Sequence, residues 1–188
     1  MKNRFIKRIF DIFFSICVII ILFPIYILIA LIIKFSSKGP ILFWSERVGY
    51  MNKNFLMPKF RTMIPGTKLT PTQFFKDKKN ITSFGKFLRN TSLDEIPQFY
   101  LILVGKMSVV GPRPALYNQK NLIKFRNKKK IYQLKPGLTG LAQISGRDQI
   151  SISKKVYYDQ IYLKNMSVYL DIKIIFLTIF TLFKNIKH

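Results

Sequence analysis

Asp94 and Glu95, in the stretch Thr91-Ser92-Leu93-Asp94-Glu95-Ile96-Pro97, are the one adjacent acidic pair in a chain of 188 residues with 32 Lys and Arg. Only eight acidic side chains are present, and the other six (Asp11, Glu46, Asp77, Asp148, Asp159 and Asp171) have no acidic neighbour. Against a formal net charge of +24 the pair is an anomaly. Downstream, Gly111-Pro112-Arg113-Pro114 sets a cation on a stiff turn, because proline presets its own φ and restricts the residue before it. Two carboxylates with guanidinium groups nearby suit metal-assisted chemistry at phosphate.

A purely structural role competes with that chemistry. Ser92 followed three residues later by Glu95 fits a capping box, and an acid in a first helical turn suits the helix dipole. Pro97 opposes a cap at Ser92, because it would fall at the fifth helical position and cost a hydrogen bond. A cap at Asp94 would place Pro97 third, where its N–H has no intrahelical partner anyway.

The composition allows a folded core, with 49% hydrophobic residues and 18 Phe. A pI near 10.3 implies an anionic partner, and charge alone does not choose among nucleic acid, an anionic membrane surface and a phosphorylated substrate. One cysteine, Cys17, excludes an intrachain disulfide or a cysteine metal cluster and fits a reducing compartment. The single histidine is the terminal His188, which argues against a histidine triad or zinc site.

Several elements must position the acids. Lys2, Arg4, Lys7 and Arg8 among Phe5, Ile6, Ile9 and Phe10 read as the start of a basic amphipathic helix. The 22 residues from Ile12 to Ile33 carry no charge, long enough for a membrane helix and too long for a signal-peptide core. Pro24 sits inside this run, and cations flank both of its ends. The positive-inside rule then favours a re-entrant, monotopic anchor broken at Pro24 over a straight span. Ile41–Trp44 and Asn54–Phe60 read as strands, Thr62–Asn80 as a mobile loop, and Phe84–Leu88 and Ile96–Val104 as helices. Asn118–Lys130 is a lysine-rich helix, Pro136–Gly140 a turn that exposes backbone, and Lys154–Leu163 a helix. Leu170–Phe183 reads as an apolar interfacial helix too short to span. The expected fold is therefore α/β but mostly helical, with residues 1–38 as anchor and 39–188 as the catalytic domain.

Four motifs stand in order: Lys59-Phe60-Arg61-Thr62-Met63; Leu88 to Gln98 around the acids; Met107-Ser108-Val109-Val110-Gly111-Pro112-Arg113-Pro114; and Lys135 to Arg147. From about Lys7 to Phe183 this set resembles the bacterial sugar transferase family, the monotopic phosphoglycosyl transferases, in its minimal catalytic form. The resemblance implies transfer of a phosphosugar from a UDP-sugar to undecaprenyl phosphate, with release of UMP, at the cytoplasmic face of a bacterial inner membrane. It implies that Asp94 is the nucleophile of a covalent phosphosugar intermediate, assisted by Glu95, and that the two acids bind Mg²⁺. By the same resemblance Lys59, Arg61, Arg89, Pro112 and Arg113 are candidates for phosphate or acid-pair contacts. Gly140, Gln143 and Arg147 are candidates for the nucleotide side, and Asp159 and Asp171 match further acidic positions.

The chain departs from the family pattern at several places. Phe23 replaces the serine of the Ser-Pro pair at the helix break, Met57-Pro58 stands where an aromatic precedes Lys-Phe-Arg, and Lys106 stands where an acid precedes Met-Ser. A rival reading is a non-catalytic basic adaptor on the membrane surface, for which neutralising Asp94 alters stability and no reaction. Nucleic acid is not an expected partner, because it leaves the uncharged 22-residue run unexplained.

Overall fold

The computed structural model describes residues 2–36, 38–64, 66, 80–146 and 149–186. Most of the expected 62–80 loop, and Arg147, lie outside the described residues. The chain opens with one long helix, α1 (Lys2–Ser36), and then forms a hairpin of β1 (Leu42–Val48) and β2 (Asn54–Phe60). Next come α2 (Ser83–Thr91), a 3-10 helix Leu93–Gln98 carrying the acids, and α3 (Phe99–Leu103). Short strands β3 (Ser108–Val110), β4 (Ala115–Leu116) and β5 (Gly137–Thr139) alternate with α4 (Lys120–Lys128) and α5 (Leu141–Ile144). Helices α6 (Ile152–Asn165) and α7 (Val168–Ile186) close the chain. The expected mostly helical chain with a small strand element is what forms.

Two small sheets result. Strand β1 lies between β2 and β4, antiparallel to both, with Phe43 opposite Lys59 and Arg47 opposite both Phe55 and Leu116. Strands β3 and β5 pair in parallel, so the expected turn at 136–140 is partly a strand. That pairing needs close backbone approach: a Cβ on Gly137 would collide with the Gly111 amide, and one on Gly140 with the Gly111 carbonyl.

Helix α1 docks along its whole length. Lys7, Asp11, Ser15, Val18, Leu22, Tyr26, Ile29 and Ile33 are buried or half-buried at steps of three or four residues, which puts them on one helical stripe. Val18 joins the main core of Phe99, Ile102, Val110 and Tyr162, while Tyr26, Ile29 and Ile33 join Phe60, Leu88 and Ile96. The opposite face leaves Phe5, Ile9, Phe13, Ile16, Ile20 and Phe23 exposed, and α7 likewise exposes Tyr169, Ile172, Phe176 and Phe180. Mean hydropathy reaches 3.3 in an 18-residue window of α1 that is only 11% buried, which sets it apart from the core helix of a soluble protein. The apolar faces are compatible with membrane association. The helix continues through Pro24, where the sequence predicts a break. A proline removes one N–H, and the remaining hydrogen bonds carry the helix past it.

Ion pairs fasten one end of α1 and hydrogen bonds the other. Lys7 Nζ lies 2.6 Å from Asp171 Oδ2 and 3.7 Å from Asp11 Oδ1, and Asp11 accepts from the Val109 amide at 3.0 Å. At the other end Arg61 donates to the carbonyls of Ile33 and Lys38.

Candidate active site

The acids sit where two helices meet. Thr82 caps α2 by accepting from Gly85 N, and Ser92 ends α2 in the left-handed conformation at φ 57°. Ser92 N–H already donates to Arg89 O, so Glu95 is not needed to satisfy it, and the Ser92 side chain makes no cap bond. The capping-box reading therefore fails. Leu93–Gln98 winds as a 3-10 helix that accommodates Pro97, and α3 starts at Phe99 rather than at the expected Ile96.

The tight turn directs both carboxylates at a cluster of cations. Lys59 Nζ, on β2, lies 2.6 Å from Glu95 Oε1 and 3.4 Å from Asp94 Oδ2. Arg113 Nη2 lies 3.0 Å from the same Glu95 oxygen. Burial pushes the Glu95 carboxyl up, but Arg113 and Lys59 outweigh it and hold the group well below the usual carboxylate range. For Asp94 the balance is reversed: burial, reinforced by the charge of Glu95, raises its carboxyl despite Lys59 and Arg113. Asp94 is thus a desolvated carboxylate, and Oδ1 accepts no hydrogen bond among the described residues. Arg89 feels the charge of Asp94 and donates through Nε to Thr62 Oγ1 at 2.8 Å.

The remaining candidates divide by location. Lys59, Arg89 and Arg113 surround the acids, whereas Arg61 serves the end of α1. Pro112 shares the Arg113 turn and its carbonyl accepts from Gly137 N at 2.9 Å. Gly140 packs on Gly111, and Gln143 is buried beside it with both amide atoms unpartnered among the described residues. The structure does not bring Asp159 or Asp171 to the acid pair. Asp159 accepts from Arg126, and Asp171 from Lys7 and the Tyr162 hydroxyl.

Arg126 is a residue that sequence reasoning missed, because it lies in a run of lysines that reads as a solvated face. It is buried, pairs with Asp159 at 2.7 Å, and donates through Nη1 to the Arg113 carbonyl at 2.8 Å. A chain of contacts therefore runs from α6 through α4 to the guanidinium on Glu95. The Arg113 segment also lines a shallow hollow with Val48, Gly49, Asn52 and Tyr132.

A divalent cation fits this donor set only in part. No group of three or more acidic, histidine or cysteine ligands occurs among the described residues. Asp94 Oδ1 and Glu95 Oε2 nonetheless accept no hydrogen bond among the described residues, and a Mg²⁺ ion commonly takes one or two carboxylates and completes its shell with water and substrate phosphates.

Known proteins resemble this chain in sequence over more than nine tenths of its length. The chain is 41% identical to the UDP-glucose:undecaprenyl-phosphate glucose-1-phosphate transferase of Klebsiella pneumoniae over 97% of its own length and 41% of that protein. It is 37% identical to the undecaprenyl-phosphate galactose phosphotransferase of Salmonella typhimurium, over 94% of its length and 40% of that protein. Against the exopolysaccharide production protein ExoY of Sinorhizobium fredii it is 36% identical, over 92% of its length and 83% of that protein. It thus spans about two fifths of the length of the first two relatives and most of the third. The sequence profile of the bacterial sugar transferases matches residues 2–185, so the chain belongs to the bacterial sugar transferase family.

Proposed function

We propose that this chain transfers a phosphosugar from a UDP-sugar to undecaprenyl phosphate and releases UMP. The observation that carries the reading is the asymmetry of the acid pair: two cations neutralise Glu95, while Asp94 keeps an open, desolvated oxygen. Glucose and galactose phosphate donors in the names of relatives support a UDP-hexose.

In this mechanism Asp94 Oδ1 attacks the sugar-bearing phosphorus of the donor. The P–O bond to UMP breaks, UMP leaves with the bridging oxygen, and Asp94 holds the phosphosugar as an acyl phosphate. An oxygen of the polyprenyl phosphate then attacks the same phosphorus and returns the carboxylate. Lys59, Arg89 and Arg113 offset charge on the phosphoryl oxygens. Asp94 and Glu95 would hold Mg²⁺, which supplies further charge neutralisation when bound. Gly140 and Gln143 lie on the nucleotide side, with the unpartnered amide of Gln143 available to a base or ribose, and the sequence motif assigns Arg147 to the same role.

The seam from Lys7 to Ile33 supports a monotopic placement. A helix docked from Lys7 to Ile33 on the catalytic body stays with that body, which supports both ends of α1 lying at one face of the bilayer. The exposed apolar stripes of α1 and α7 face lipid at the cytoplasmic side of a bacterial inner membrane.

UMP release by purified protein with undecaprenyl phosphate, Mg²⁺ and a panel of UDP-sugars tests the reading, with Asp94→Asn in parallel. Release with a particular sugar that vanishes in the variant is the expected result. A folded, lipid-bound protein that releases UMP from no donor would favour the non-catalytic adaptor.

A further inference from the structure

The turn after α3 carries a cationic notch built by Arg8 and Lys135. Gly105 has φ +80°, and the position its Cβ would occupy lies 3.4 Å from Arg8 Nη2 and 3.4 Å from Lys135 Nζ. Three segments distant in sequence, α1, the α3 turn and the strand entering β5, thus converge on a spot where the chain has no side chain. Arg8 is pinned there, donating to the carbonyls of Ile102 and Leu103 at the end of α3. Lys135 is half-buried and has no hydrogen-bond acceptor among the described residues. Its ammonium is held below the ordinary lysine range, first by burial and then by Arg8, with Lys7 adding to this and Asp11 opposing it.

Lys135 has no acceptor of its own among the described residues, and Asp11 offsets its cationic neighbours Arg8 and Lys7 only in part, so an anion at Lys135 would lower the cost of the cluster. Because residue 105 is glycine, no side chain of its own stands between an oxyanion and these two nitrogens. The notch adjoins Arg8, in the turn of α1 that follows exposed Phe5 and Ile6, so the phosphates within reach are those of the membrane surface.

We propose that Arg8, Gly105 and Lys135 form a binding site for the phosphodiester of an anionic phospholipid headgroup, which holds the start of α1 at the bilayer surface. The inference rests on the membrane placement proposed above, and the two can fail separately. Loss of flotation on any vesicle would overturn the placement. Flotation without headgroup preference at Lys135 would overturn only the notch.

Native mass spectrometry of the full chain in detergent micelles containing phosphatidylglycerol or phosphatidylcholine provides the test. Wild type should retain phosphatidylglycerol preferentially, Lys135→Gln should weaken that retention about tenfold, and Lys135→Arg should restore it. Lys124→Gln, which removes an equal charge from the exposed face of α4, should leave it unchanged. Equal losses in Lys135→Gln and Lys124→Gln would show diffuse attraction and overturn the site. A Lys135→Gln protein that keeps phosphatidylglycerol but loses undecaprenyl phosphate would assign the notch to the acceptor and also overturn it. Should Lys135→Gln fail to fold, amine acylation of wild type still decides: phosphatidylglycerol must protect Lys135 where phosphatidylcholine does not, and unchanged labelling refutes the site.

Discussion

Arg126 Nη1 donates to the main-chain carbonyl of Arg113 at 2.8 Å, so a buried arginine on α4 fixes the backbone from which a second arginine reaches Glu95. Asp159 holds Arg126 in turn at 2.7 Å. Lysine keeps the charge but cannot bond both Asp159 and the Arg113 carbonyl in this fork geometry. Arg126→Lys should lower kcat per folded molecule about tenfold or more while changing the donor KM little. Steady-state UMP release, normalised to folded protein, separates this positioning role from simple loss of stability. An unchanged kcat in protein of lowered Tm would leave Arg126 purely structural.

Lys59 sets the pH range of the acid pair. Burial raises the Asp94 carboxyl, and Lys59 is the largest influence pulling it back down. A nucleophilic Asp94 must be ionised, so activity falls as pH drops through its raised pKa. Lys59→Gln should move that acid limb to higher pH. Glu95 has the opposite sign. Its pKa is depressed on folding, so the stability from its ion pairs is present above the ordinary glutamate pKa and lost only as pH falls through the depressed value. Acid activity loss near the Asp94 pKa should therefore precede acid unfolding, measured as kcat/KM and circular dichroism over one pH series.

The acid pair and its cations were legible because their chemistry is local: two adjacent carboxylates in a cationic chain, and an arginine locked between prolines. The hairpin strand Asn54–Phe60 was read to its ends. The short strands β3, β4 and β5 were not, since two or three residues give no periodicity, and the β3–β5 pairing depends on the close approach of Gly111 and Gly137. Lys7 reads as part of a basic amphipathic surface, yet it is buried, paired with Asp171 at a distance of 164 residues along the chain. Long-range charge pairing leaves no mark on local spacing.

That distant pairing makes Asp171 a clamp between α1 and α7. Its two oxygens accept from Lys7 at 2.6 Å and from the Tyr162 hydroxyl at 2.7 Å, and Tyr162 also approaches the carbonyl of Val110 beside Gly111. Removing one partner of a buried pair leaves the other uncompensated. Asp171→Asn should cost about 3 kcal/mol, read from thermal unfolding in detergent. Replacing both charges, as Lys7→Met with Asp171→Leu, should recover part of that loss. No change in Tm for Asp171→Asn would contradict the clamp.

Docking along one stripe from Lys7 to Ile33 predicts the topology of α1 independently of Pro24. With Cys17 replaced by Ala, single cysteines at Asn3 and at Lys38 should both react with an impermeant maleimide in inverted vesicles and neither in intact spheroplasts. A spanning helix would instead expose one of the two from the outside. Pro24→Ala supplies the missing N–H and favours a straighter helix. The core contacts of Phe14 and Val18 on one side of residue 24 and Ile29 and Ile33 on the other still bind both halves to the same body. Pro24→Ala should therefore keep the same-side labelling and change only stability. Outside labelling at either position in this variant would mean that the proline, rather than the docked seam, turns the chain back.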